Sequence, residues 1–277
     1  MREQSENQTN YAEFVYKRRG TPKRRGGVRI FPVIVLVVLL GVIALLANMF
    51  FGFVNFGGKS GQGAVLPSAT VWVIETGRFN VKNNALGHAR DVRTHGGAGF
   101  VVGLGGYLGA VADTKQWSVL ENVYATREGA EIELLTLPET IKTNAVITEI
   151  AFDGRRVTLH NTRDTVVFDA LVGSFYTNFL FLCDGLVKYK NGEVSAVEVC
   201  AETLQRYNEL TATVREFDKI QENASSMFYA RVLVHANREL LALYLLSGEG
   251  ASANFPSALS NAICAVVFAY LDLVWEE

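Results

Sequence analysis

The sequence predicts an α+β chain: one N-terminal transmembrane helix, a βαββαβ unit, then an all-α helical bundle. Three observations lead there. The run Ile30 to Phe53 contains no charged residue. Strand-like and helix-like segments alternate from Thr70 to about Asp153, and beyond about Asp164 apolar residues recur in steps of three and four, the spacing of one helix face.

The apolar run follows a cluster of cations, Lys17, Arg18, Arg19, Lys23, Arg24, Arg25 and Arg29. An α-helix rises about 1.5 Å per residue, so roughly 20 apolar residues cross a hydrocarbon core of about 30 Å. The segment suffices even with its first turn discounted for Pro32, and Asn48 falls near the far interface. A cleaved secretory signal has a shorter apolar region, about 7 to 15 residues, that ends in a small-residue site. This run is longer and starts deeper in the chain, which favours an uncleaved single-pass anchor. Seven of the 26 Lys and Arg lie between residues 17 and 29, and the first charge past the run is Lys59. By the positive-inside rule the N-terminus is cytoplasmic and everything from about residue 57 is extracytoplasmic. The expected organisation is a basic tail at 1–29, the span at 30–53, a Gly/Ser tether at 54–69 containing GGKSGQG, the βαββαβ unit at 70–153 and the bundle at 164–277.

Residues 1–29 carry eight basic and three acidic side chains, a net of +5, so a chain of net −2 leaves −7 for the remainder. An outer region of that sign excludes a phosphate-tracking nucleic-acid binder, and the basic tail suits anionic lipid. Cys183, Cys200 and Cys264 are too few for a disulfide framework and sit in apolar surroundings, as small core residues do, although a Cys183 to Cys200 bridge stays open.

In the βαββαβ unit, Val71 to Thr76 is β-branched and aromatic, as strands prefer. NNALGHARDVRTHGG follows, with Ala85, Ala89 and Val92 at helical spacing, Asn83 or Asn84 as caps and Gly96–Gly97 as the stop. Ala98 to Val102 is a second strand, Gly103 to Asp113 a Gly-rich turn, and Trp117 to Tyr124 a third strand. Thr126 opens a helix that Pro138 ends, and Ala145 to Phe152 is the fourth strand. The halves echo each other: VIETGRFNVKNNA at 73–85 and VLENVYATREGAE at 119–131.

On these residues the stretch Val71 to Phe152 resembles the SPOR domain. Gly77, Phe79 and Ala85 match the family's first half, Trp117, Val119, Tyr124, Thr126, Arg127, Glu128 and Ala130 its second, and GGAGFVV its helix-to-strand turn. Asn122 and Glu75 depart from the usual Gly and Gln. The resemblance implies a ferredoxin-like fold and binding of peptidoglycan glycan strands on the sheet face opposite the two helices. With Glu75 opposite Leu120, strand alternation puts Glu75, Ser118, Leu120 and Asn122 on that face. Glu75, Ser118 and Asn122 are then expected to hydrogen-bond sugar hydroxyls, with Arg78 and Tyr107 on the rim. Trp72 and Trp117, of opposite parity, are expected under the helices.

No catalytic or metal-ligating constellation emerges, and no cofactor is expected. His88, His95, His160 and His235 are scattered outside any HExxH or zinc spacing, no G-x-S-x-G elbow occurs, and GLGGYLG fails the dinucleotide-binding spacing. In the bundle region Val197, Cys200, Leu204, Tyr207, Leu210, Val214, Phe217 and Ile220 lie on one helical stripe. Phe168 to Leu182, Met227 to Leu246 and Leu259 to Val274 give three more helices, with Ser225 or Ser226 and Ser257 as starts. Asp169 and Asp184 bracket the first of these, which reads as a buried helix and not as a second span. The expected protein is non-enzymatic: anchored in the lipid bilayer, recognising glycan at a division or sporulation septum, and engaging a protein partner or another copy through its helices, with Tyr229, Tyr244 and Trp275 as contacts. Two alternatives stand beside it: an interaction protein whose module no longer binds glycan, and a membrane-bound wall hydrolase with an unrecognised site.

Overall fold

The β-branched and aromatic run from Thr70 to Thr76 lies in the longest strand among the described residues, Ala69–Phe79, and the sheet is assembled around it. The computed structural model describes residues 64–103, 116–157, 159, 162–224 and 227–275. The expected membrane span, the Gly-rich turn and Tyr107 lie outside these residues. Naming strands in chain order, β2 (Ala69–Phe79) is flanked by β4 (Trp117–Tyr124) and β5 (Val146–Phe152), and β3 (Phe100–Gly103) pairs with β4. Every pairing is antiparallel, in the order β3-β4-β2-β5. Helix α1 (Lys82–Thr94) joins β2 to β3, while α2 (Arg127–Thr136) and the short α3 (Glu139–Lys142) join β4 to β5. Two βαβ units therefore interleave, each placing one strand between the two strands of the other.

Local chemistry explains the boundaries. Helix α2 starts where Thr126 Oγ1 accepts from the Gly129 N–H at 3.1 Å, an N-cap that satisfies one of the orphan donors of the first turn. Helix α1 has no such cap: it starts after Val81 without a side-chain cap bond, so Asn83 and Asn84 lie inside its first turn. It ends as expected at Gly96, with φ +90°, where the Gly97 N–H reaches back to the Val92 carbonyl at 3.2 Å, a closure that only a left-handed residue permits. At Gly99, with φ +50°, a Cβ would stand 2.1 Å from the Ala89 carbonyl oxygen, so the turn into β3 requires glycine.

Two short strands were not expected. β1 (Ala64–Leu66) pairs antiparallel with β6 (Arg155–Val157), so the end of the expected tether is strand, held because Ala64 and Leu66 are buried. Gly154 sits beside this pair, where a Cβ would lie 3.0 Å from both Leu66 O and Ser68 N.

The helical region follows the sheet: α4 (Thr162–Lys190), α5 (Ala196–Ala224), α6 (Met227–Ser247) and α7 (Phe255–Trp275). All four predicted helices form, although Val197 and Leu204 of the predicted α5 stripe are exposed, α4 outruns its apolar centre at both ends and Ser257 lies inside α7. Each helix packs against two others in a ring, α4 to α5, α5 to α6, α6 to α7, and α7 back to α4. By length and composition, Asp164–Lys190 and Phe255–Val274 are apolar enough to cross a membrane, with mean hydropathies of 1.6 and 1.7. Most of the second is buried inside the protein, as in a core helix.

The regions 70–153 and 164–277, expected as separate domains, share one apolar core. Val71, Val73, Leu120 and Ile150 of the sheet belong to the same cluster as Phe175, Leu243 and Leu271 of the helices. Helix α7 crosses β3 and β4, with Phe268 stacked on Phe100 at 5.6 Å between ring centres and Tyr270 Oη donating to Pro67 O at 2.9 Å. On the other face a small cluster of Ala85, Ala89, Val92, Val119 and Ile141 packs with Trp117 under α1 and α3. Lys82 Nζ lies 4.7 Å over the Trp117 ring, a cation–π contact.

Candidate functional site

The sheet face that alternation marks for ligand is built by β2 and β4. Glu75 stands opposite Leu120, as the alternation anticipates, and Arg78 stands opposite Ser118. Shifts in register on either side of Glu75 put Asn122 across from Ile74, the irregularity of a β-bulge. Since Phe100 is the partner of Leu120 and Val102 of Ser118, and Phe100 stacks on Phe268, Ser118 and Leu120 point towards α7.

Four of the five expected site residues are therefore gathered on one strand pair, but the face is covered. Glu75 is 1 % exposed, and Ser118 and Asn122 are wholly buried. Asn122 Oδ1 accepts from the Val123 N–H at 2.8 Å and meets Cys264 Sγ of α7 at 4.0 Å. Ser118 Oγ and Asn122 Nδ2 have no hydrogen-bond partner among the described residues. Arg78 alone reaches solvent: its side chain is 42 % exposed, and its Nε binds the buried Glu75 carboxylate at 2.5 Å.

The physical reason lies in β4. A strand with one wet face alternates buried and open residues, whereas Ser118 to Val123 are all buried. One side is packed by α1, the other by α7, and polar residues read as sugar-facing lie in a dry interface.

An open cleft remains at the edge of this face, about 530 Å³, lined by Glu75, Arg78, Phe79, His88, Asn144 and Val146 among others. Thr76 Oγ1 donates to Val119 O at 3.0 Å, so its contact with His88 Nε2 at 3.1 Å requires that nitrogen to carry the proton. The His88 ring packs on Phe79, with centres 5.4 Å apart, so this histidine is a structural brace on the sheet edge.

Two buried carboxyls have raised pKa values: Glu121, which the sequence offers only with Asp113 as a carboxylate pair that cannot be ranked without geometry, and Glu239, which it does not single out. Glu121 accepts from Tyr124 Oη at 2.7 Å; burial, reinforced by the charge of Glu133, pushes its pKa up to about 7 against the pull of Tyr124 and Lys190. Nearby, Lys190 Nζ of α4 pairs with Glu133 of α2 at 2.5 Å, tying the sheet unit to the helices. Glu239 of α6 is wholly buried and burial raises it to about 8, opposed only by the hydrogen bond from Asn178. Asn178 Nδ2 donates to Glu239 Oε1 at 2.6 Å, and Arg206 Nη1 donates to Asn178 Oδ1 at 3.2 Å. The signal for Glu239 was present: it falls on the stripe of Val232, Ala236, Leu243 and Leu246, all buried.

The three cysteines are free thiols, so Cys183 and Cys200 are not bridged. Among the described residues no group of three or more His, Cys, Asp or Glu is arranged to hold a metal. No protein-family model, curated protein or solved structure matches this chain.

Proposed function

We propose that this chain is a membrane-anchored extracytoplasmic interaction protein in which a SPOR-like, ferredoxin-like module supports a helical platform and does not itself bind glycan. The observation that carries this reading is the burial of Glu75, Ser118 and Asn122, with α7 packed across β4. A sugar-binding groove needs an open, shallow surface with hydroxyl-reaching side chains, whereas this face is filled by the apolar side chains of one helix. The Ile30 to Phe53 segment anchors the chain with its basic tail in the cytoplasm, and its acidic remainder lies outside. In this reading the partner is engaged through the helices, and no bond is made or broken.

Co-sedimentation of the full chain, in detergent micelles, with amidase-treated peptidoglycan sacculi tests the proposal. The expected result is a protein that stays in the supernatant. Pelleting that is lost on joint Glu75→Ala and Ser118→Ala substitution would restore the glycan-binding reading. Release of dye-labelled fragments from the sacculi would instead establish a hydrolase.

A further inference from the structure

Helix α6 carries a solvent-facing stripe with the composition of an interior seam. Met227, Val234, Leu241, Tyr244 and Leu245 are 81 %, 51 %, 57 %, 57 % and 59 % exposed. Together with Ala230, Asn237, Arg238 and Gly248, also exposed, they recur at alternating steps of three and four. That is the heptad spacing of a helix that meets a second helix, and it runs the length of a 21-residue element, about 30 Å at 1.5 Å per residue. The buried face of α6 is a different stripe, Tyr229, Val232, Ala236, Leu243 and Leu246, already used against the other helices. Contiguous apolar exposure of this kind marks an interaction surface.

The order of sizes along the stripe identifies the occupant. Read from either end, it pairs large with small about a centre between Asn237 and Arg238: Met227 with Gly248, Ala230 with Tyr244 and Leu245, and Val234 with Leu241. Such a sequence is complementary to itself run backwards. At its centre Asn237 comes opposite Arg238 of the other copy, and an amide, which can both donate and accept, can meet such a neighbour. A single polar group in an apolar seam fixes register. The central Arg238 is already turned aside, bound to Asp272 of α7 at 2.5 Å, so it need not carry an unpaired charge into the seam. A parallel pairing would set Tyr244 against Tyr244 and Gly248 against Gly248, with a gap that widens and closes within one turn.

We propose that this stripe is an isologous dimer interface, α6 of one chain packing antiparallel on α6 of a second copy. The inference rests on the interaction reading above and supplies its partner. It shares no residue with the sheet face, so the sacculus experiment and the one that follows fail independently.

The full chain is examined in detergent and in lipid nanodiscs by mass photometry. A dimer is expected, and Val234→Lys combined with Leu241→Lys should convert it to monomer with an unchanged helical circular dichroism spectrum, because both side chains are exposed. In the antiparallel register position 234 of one chain faces 241 of the other. Val234→Lys combined with Leu241→Glu therefore sets opposite charges together and should retain the dimer. A native chain that is monomeric in both media overturns the proposal, as does a dimer indifferent to the two lysines. A dimer lost equally in both double variants overturns the antiparallel register.

Discussion

At the scale of single residues, the buried acids have the clearest consequence. Glu239 has an ordinary value of 4.5 and is raised to about 8 in the folded protein, so between those limits the folded state holds a proton that the unfolded state has released. The stability this contributes is full below about pH 4.5 and is lost as pH rises towards 8, by up to about 1.4 kcal/mol per pH unit. Glu121 acts in the same direction over a narrower window that closes near pH 7. Thermal unfolding of the full chain in detergent should therefore occur at lower temperature at pH 8 than at pH 5. Glu239→Gln keeps an acceptor for the Asn178 amide and removes the titration, and it should flatten that dependence above pH 7. An unchanged slope would assign the effect elsewhere. Glu239 was legible only through its place on the apolar stripe of α6, whereas Glu121 was not, because β4 is covered on both faces and strand alternation then gives no open side for a carboxylate.

At the scale of elements, α7 decides what the sheet can do. Its Ser260 and Asn261 side chains reach the Gly96 and Ala98 carbonyls at 3.4 Å each, so it docks on the turn before β3 as well as on the apolar face of β4. The cost is a buried hydroxyl and amide that have no partner among the described residues, Ser118 Oγ and Asn122 Nδ2, each comparable to a lost hydrogen bond. Ser118→Ala removes an unpaired buried group without opening a cavity of any size. It should leave the unfolding temperature unchanged or raise it, by no more than about 1 kcal/mol of stability, as differential scanning fluorimetry would read. A loss above that would mean Ser118 has a bound partner in solution.

The elements themselves were readable because their signals are local. Thr126 with Gly129, Pro138, Gly96 and the Trp117 to Tyr124 pattern each fix a boundary within a few residues. The cover over the sheet was not readable, because it depends on a helix some 140 residues later in the chain, as with Cys264 against Asn122, and because apolar α7 gives the same signal whether it faces a sheet, other helices or lipid. The β1–β6 pair was missed for a related reason. Three-residue strands carry too little pattern to stand out, and they exist here only because their partners come from opposite ends of the sheet unit.

For the whole molecule, the shared core makes sheet and helices one folding unit, and the described residues from Ala64 onward fall in one compact body. Val71, Val73, Leu120, Val123, Ile150 and Phe152 belong to the core that the helices complete, and at about 25 cal/mol per Å² of apolar surface their exposure is a heavy penalty. A fragment ending at Val157 should therefore bind a hydrophobic reporter dye strongly and self-associate, whereas the full chain in detergent should unfold in one thermal transition. A soluble, dye-silent fragment would show that the sheet unit stands alone.

The β1–β6 pair has a mechanical meaning. Ala64 is the partner of Val157, so the chain entering β1 and the chain leaving β6 towards the helices meet this ladder at the same end. Tension between them opens its pairs one after another, like a zip fastener, and does not shear them together. Under such a load this three-pair clasp is expected to yield first, which lengthens the segment before β2 while the four-stranded sheet behind it stays closed.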